Sequence, residues 1–358
     1  MDSLNIAALR GLQGGREYYV AMCPLHYLNH FLFNECDVPP EWRHQRVLNK
    51  TRIPVITQYL LDNPDDYVFS SLFACIDSKV TFEPHGGKGP ESRTGTLTIP
   101  LSAKIVINDG QHRKAAIEEA LKQCPELREE TISVVFYLDE GLKRSQQIFA
   151  DLNRHVIRPT KSLGILYDHR DPLAQLSRNV ATQVPYFNGM TELEKTSISN
   201  RSTKLFTLSS IYQSTKALLN KSDKQDVSEE DEKLAIQFWK EVGKHIPDWQ
   251  MASQKKVNPS ELRLDYVHAH GVALQAVGIL GAELVSGYPH DWKKKLQGLS
   301  KVDWRKSNTK LWEGRAIING KLSASHQSLQ LTVNSLKKIL KVPLTNAQKD
   351  LEKNGRSN

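Results

Sequence analysis

The run Asp109-Gly110-Gln111-His112-Arg113 places a carboxylate, an imidazole and a guanidinium within five residues. Gly110 allows a tight turn and a close ligand approach, Arg113 can form a forked pair with a phosphate, and His112 can donate to a phosphate oxygen or carry a proton. Asp109 can cap a helix or, in an enzyme, hold a metal or a proton. If a helix starts here, the backbone N–H groups from Gln111 to Lys114 bring a positive end to the same point. The chemistry on offer is an anion or phosphate cradle, and an ordinary capped turn is the other reading.

A second polar cluster, Asn153, Arg154, Arg158 and Lys161, could fold back toward that turn, so that two basic groups grip one polyphosphate. The plainer alternative is a solvent-facing helix end whose cations complement the helix dipole. A third cluster lies near the C-terminus, where Lys293-Lys294-Lys295, Arg305-Lys306, Lys310, Arg315 and Lys321 interleave with Trp292, Trp304 and Trp312. Cations of this kind neutralise phosphates and release counterions, while the tryptophans either pack the core or stack on bases. Lys337, Lys338 and Lys341 accompany Leu336, Ile339 and Leu340 on an amphipathic helix that suits a DNA backbone or plain solvent.

The elements that must position these groups follow from periodicity. Lys104–Asn108 is a β-type run, and Ile117, Ala120, Leu121 and Cys124 recur at helical spacing after the turn. Ile132–Leu138 reads as a strand, and a helix follows from about Leu142 to Arg154, ending before Pro159. Upstream, Tyr18–Met22 and Tyr67–Leu72 read as strands, Arg46–Leu61 is partly helical with Pro54 near its start, and His85–Pro90 connects a hairpin between Lys79–Phe82 and Thr96–Ile99. Past Thr203 the pattern is helical, over Lys204–Leu219, Ser228–His245, Ser260–Val285 and Ser325–Leu340, with Ser228 as an N-cap and Asp231 at its third helical position. The expected fold is α+β: a small mixed β-sheet core in residues 1–200, then a mainly helical, basic domain in 201–358.

The chain has 358 residues, of which 39% are hydrophobic and 25% charged, as in an ordinary soluble protein. Its longest apolar stretch, Gly271 to Val285, is interrupted by Gln275 and Glu283 and is shorter than the about 20 residues of a membrane span. No secretory signal is legible at Met1–Asn5, so the expected location is the cytoplasm. Cys23, Cys36, Cys75 and Cys124 lack metal-ligand spacing and read as structural thiols, with no metal expected. No P-loop, HExxH, GxSxG or GxGxxG in strand–turn–helix context is present. The net charge of +8 is one-sided: residues 290–358 carry +10 and the rest −2. Such a field suggests a polyanionic partner, with nucleic acid first, or else a solvated basic tail.

Asp109–Arg113 spells the naming motif of the DGQHR-domain proteins, and Ile148-Phe149-Ala150-Asp151-Leu152-Asn153-Arg154-His155 followed by Pro159-Thr160-Lys161-Ser162-Leu163 resembles their second block. In length and order the chain resembles the DndB family of bacterial DNA phosphorothioation gene clusters. That resemblance implies a negative transcriptional regulator that binds double-stranded promoter DNA of its own operon. It also implies a core related to the ParB and sulfiredoxin fold, in which a Gly-x-x-Arg turn holds nucleotide phosphates; Gly110 and Arg113 have that spacing. Gln111 stands where sulfiredoxins carry a catalytic cysteine, so reductase chemistry is not implied. Expected partners are promoter DNA, a second copy, since palindromic operators favour dimers, and other phosphorothioation proteins. The alternative is an enzyme, a nucleotide hydrolase or nicking activity, that binds a nucleoside triphosphate through Asp109, His112 and Arg113.

Overall fold

A computed structural model describes residues 3–32, 48–138, 142–154, 159–223 and 225–354. Contacts divide the chain into two compact units, Met1–Ile157 and Arg158–Asn358.

The first unit is built on eight strands: β1 (Ser3–Gln13), β2 (Arg16–Pro24), β3 (Phe31–Leu32), β4 (Leu72–Ile76), β5 (Thr81–Pro84), β6 (Thr94–Pro100), β7 (Ile105–Asp109) and β8 (Thr131–Leu138). Their order in the sheet is β3-β7-β4-β8-β2-β1-β6-β5. The β3–β7 and β4–β8 pairs are parallel and the others antiparallel. Gly14 and Gly15, at φ +58° and +76°, form the two-residue turn that lets Gln13 pair with Arg16. Alternate residues of these strands, among them Ile6, Tyr19, Ala74, Leu97, Ile107 and Phe136, form one core with Leu60 of α1 (Ile53–Asp62) and Ile117 and Ala120 of α2 (Gln111–Gln123). Each such aliphatic side chain contributes about 1.5–3 kcal/mol by leaving water. Cys75 and Asn108 point away from this core, and Ser145 of α3 (Leu142–Arg154) reaches both: it accepts from Asn108 Nδ2 at 2.6 Å and donates to Cys75 Sγ at 3.9 Å.

The second unit is helical: α4 (Lys161–Tyr167), α5 (Pro172–Gln183), α6 (Leu208–Leu219), α7 (Glu229–Lys244), α8 (Pro247–Ser253), α9 (Pro259–Asp265), α10 (Gly271–Gly287), α11 (Trp292–Leu296), α12 (Thr309–Trp312), α13 (His326–Ile339) and α14 (Asn346–Asn354). Helix α10 is apolar on most sides and therefore central, against α6 and α13. Gly278 makes this possible, since a Cβ there would lie 2.2 Å from the Ser214 carbonyl oxygen of α6. Among the described residues, no helix is long and apolar enough to cross a membrane.

The mixed sheet followed by helices is as expected, with four differences. The sheet is larger than a small core, because Ser3–Gln13 forms a long strand that its weak alternation did not announce. Tyr67–Ser71 is not extended into a strand, and β4 begins only at Leu72. The helix expected over Ser260–Val285 is broken at Tyr266, which is extended at φ −122° and bridges Arg305, while Val267 N–H donates to the Trp304 carbonyl. Pairing with a distant segment outweighs local helix propensity there. Residues 161–200, grouped above with the sheet, cluster with the helical unit.

Candidate functional site

Strand β7 ends at Asp109 and α2 starts at Gln111, with Gly110 at φ +101° between them. A side chain at Gly110 would be strained by that φ, and its Cβ would lie 2.3 Å from Leu72 Cδ2. Asn108, fully buried, is the extra residue of a β-bulge, since Phe73 pairs with Asp109 and Ala74 with Ile107. Its Nδ2 is used on Ser145, and its Oδ1 has no hydrogen-bond partner among the described residues. The turn is thus set by a strand irregularity, a left-handed glycine and a helix start.

The side chains around the turn are largely occupied. Arg113 Nη2 donates to Asp109 Oδ2 at 2.7 Å, and Nη1 donates to the Ser71 carbonyl at 2.9 Å, to Ser70 Oγ at 2.5 Å and to the Ser70 carbonyl. Burial lowers the Arg113 pKa, and the charge of Asp109 partly restores it. His112 is buried and accepts from the Asn49 backbone N–H through Nε2 at 3.0 Å, which leaves that nitrogen without a proton. Gln111 is buried as well, and buried Lys114 pairs with Glu118 at 2.6 Å. Arg113 therefore clamps the chain entering β4 to the turn, where an open cradle would have left its fork outward. The amides of the first turn of α2 keep the polarity that favours an anion.

The second expected cluster is distributed over separate elements. Asn153 and Arg154 end α3, with Arg154 exposed, whereas exposed Lys161 opens α4 in the other unit behind the N-cap Thr160, whose Oγ1 accepts from Leu163 N–H at 3.2 Å. Arg158 and the side chain of Asn153 lie outside the described residues.

The basic C-terminal residues divide into two groups. Lys337 is 1% exposed, and its ammonium bonds Glu283 and, at 2.7 Å, Gln348 Oε1. Arg315 forks onto Glu352 at 2.7 and 2.9 Å, and Lys338 joins the same carboxylate. Burial alone would raise the Glu352 pKa, but Arg315 and Lys338 outweigh it and hold the carboxyl down at about 2. Arg305 is closed on Asp303 at 2.7 and 2.8 Å, and Lys306 donates to the Arg263 carbonyl at 2.6 Å. Lys337 and Arg315 are thus structural, a correction to their placement on a nucleic-acid face. Trp292, Trp304 and Trp312 are core residues, with Trp304 and Trp312 stacked at 5.4 Å.

Surface lysines remain on the other side of this division, Lys295 half-buried over the Tyr288 ring and the others exposed. Lys294, Lys295 and Lys341 line one concavity of about 480 Å³ with Lys301, and Asp291 is the carboxylate beside them. Lys293 is exposed on the same helix, and Lys310 and Lys321 are exposed elsewhere. Lys301 was not singled out from sequence, although it follows Lys294 by seven residues, two helical turns. A larger cavity of about 670 Å³ is lined by Lys306, Arg263 and His270, of which only Lys306 stood out in the sequence. Among the described residues, no group of His, Cys, Asp and Glu is arranged to hold a metal ion.

Comparison with known proteins finds no match among curated proteins or solved structures. One family, described as DndB, DNA-sulfur modification-associated, matches residues 6–343, nearly the whole chain and both units. The matched span includes the Asp109–Arg113 turn and most of the helical unit, and the chain is a member of the DndB family associated with DNA sulfur modification.

Proposed function

We propose that this protein is a DNA-binding negative regulator of transcription for a DNA sulfur modification operon, holding double-stranded promoter DNA through exposed lysines of its helical unit. The observation that carries the reading is the gathering of Lys294, Lys295, Lys301 and Lys341 at one concavity, with Lys293 on the same helix. Cations that form no ion pair among the described residues, with Asp291 as the one carboxylate of the lining, suit phosphate neutralisation, and the family's association with DNA sulfur modification is in keeping with a polyanionic partner. A second copy on a palindromic operator would double the contacts.

Gel shifts on the operon's upstream region test this. Joint replacement of Lys294, Lys301 and Lys341 by Ala should weaken promoter binding and reduce the slope of log K against log salt by about 2–3, since each phosphate contact contributes about 0.9. Promoter affinity equal to that for random DNA of the same length would sink the reading. The nucleotide hydrolase or nicking alternative has less support, because Arg113 is already engaged by Asp109, Ser70 and Ser71.

A further inference from the structure

We propose that the cavity walled by α6, α9 and α10 is a binding site for a small phosphate ester, with Lys306 as its charged contact. It has a volume of about 670 Å³, within the range of pockets that enclose a nucleotide-sized molecule. All its lining residues belong to the helical unit, and it shares none with the lysine concavity.

The walls are built around Arg263. Its guanidinium donates to the carbonyls of Ser199 and Ser202, each at 2.9 Å, and to that of Lys204, which fixes the loop that closes one side. Its own carbonyl oxygen receives two donors, Lys306 Nζ at 2.6 Å and His270 Nε2 at 2.8 Å. Arg263 is therefore spent on construction and not on a ligand. Lys306 is different: it is half-buried, forms no ion pair among the described residues, and uses one of three N–H donors on that carbonyl. An ammonium held away from water without a carboxylate is costly, and an anion in the cavity would relieve that cost. Burial lowers the Lys306 pKa in keeping with this, the nearby Asp265 charge opposing it.

The rest of the lining fits a phosphate ester better than a bare ion. Ser197, Ser210 and Thr207 line it with hydroxyls, the last two bonded to each other at 2.7 Å, while Leu205, Phe206 and Leu264 give an apolar wall for an organic group. Gly271, the first residue of α10, also lines the cavity, and the N-cap His270 makes no side-chain cap there, so the helix dipole adds to Lys306. Glu261 is the opposing charge on the wall.

The test is calorimetry on the full chain without DNA, which keeps it separate from promoter binding. The probes are AMP, glucose 6-phosphate and inorganic phosphate, with adenosine and glucose as neutral controls. Saturable binding of at least one phosphate ester, competed by inorganic phosphate and absent for the neutral controls, is expected. Lys306→Met should weaken it about tenfold or more, the worth of a charge-assisted contact. Lys240→Met, on an exposed face of α7, should leave it unchanged. Glu261→Gln should tighten it several-fold, and this arm decides the matter if Lys306→Met does not fold. No saturable binding of any phosphate probe, full affinity in a folded Lys306→Met, or unchanged affinity in Glu261→Gln overturns the proposal.

Discussion

Arg113 Nη2 lies 2.7 Å from Asp109 Oδ2, so the two ends of the strand–turn–helix junction form an ion pair across Gly110. The same guanidinium holds the carbonyls of Ser70 and Ser71 at the entrance to β4. One side chain thus ties three segments of the sheet unit together, and its first contribution is to stability.

That role predicts how Arg113→Ala behaves. Three backbone and hydroxyl acceptors and one carboxylate lose their donor, and hydrogen bonds to a charged group are worth about 1.5–3 kcal/mol. Denaturant unfolding of Arg113→Ala should show a loss of about 2–3 kcal/mol, and Arg113→Lys, which cannot fork, should recover only part of it. Unchanged stability together with a lost nucleotide heat would restore the open-cradle reading.

Gly110→Ala should destabilise the sheet unit by about 1–3 kcal/mol or more, because φ +101° strains any side chain and Leu72 occupies the Cβ position. A thermal melt of Gly110→Ala against Gly189→Ala separates the two causes. Gly189 is also at positive φ, +74°, but has open space around it, so it carries the conformational cost alone.

The outline of this architecture was legible because it rests on local signals. The Ile105–Asp109 strand, the glycine and the apolar period after it define the turn, and Ser228 is the N-cap expected of it, closed into a capping box by Asp231. What was not legible depends on contacts far apart in sequence. Ser70 and Ser71 meet Arg113 from more than forty residues upstream, and Lys337 meets Glu283 from a different helix. A signal did exist for Lys337, which follows Val333 by one helical turn and so shares its buried face. The lysine concavity joins residues of α11, the turn after it and the end of α13, and no single periodicity connects those three.

Lys337→Ala and Lys341→Ala should therefore part company. The first leaves Glu283 and Gln348 without their buried cation and should cost about 3–5 kcal/mol of stability. The second removes an exposed charge, so it should leave the melting temperature nearly unchanged while reducing promoter affinity. Measuring both properties on both variants assigns each lysine to structure or to binding.

Glu352 makes the helical unit acid-sensitive. Its carboxyl sits at about 2 in the folded chain because Arg315 and Lys338 overcome the cost of burial, against an ordinary value of 4.5. The native state therefore binds fewer protons than the unfolded one between these values, and the stabilisation present above about pH 4.5 is lost as pH falls toward about 2. Glu352→Gln should flatten the stability–pH curve in that window and lower stability at pH 7 by about 2–3 kcal/mol. Equal slopes in the two proteins would remove Glu352 as the cause.

A second window belongs to the histidines of the α9–α10 break. Burial, helped by the charge of Lys306, pushes His270 down to about 4, and burial also lowers His268, where Asp248 opposes it. Trp249 Nε1 donates to His268 Nδ1 at 3.2 Å, so its Nε2 carries the proton given to Asp248 at 2.9 Å. Both rings are folded in neutral form, and the unfolded chain takes up protons on them first as pH drops below about 6.5. Stability should decline from about pH 6.5 toward 4, with a melting temperature lower by several degrees at pH 5 than at pH 7. His270→Gln, which keeps a donor for the Arg263 carbonyl but does not titrate, should remove part of that decline. A melting temperature of His270→Gln that falls as steeply as the unaltered chain's would place the acid sensitivity in other groups.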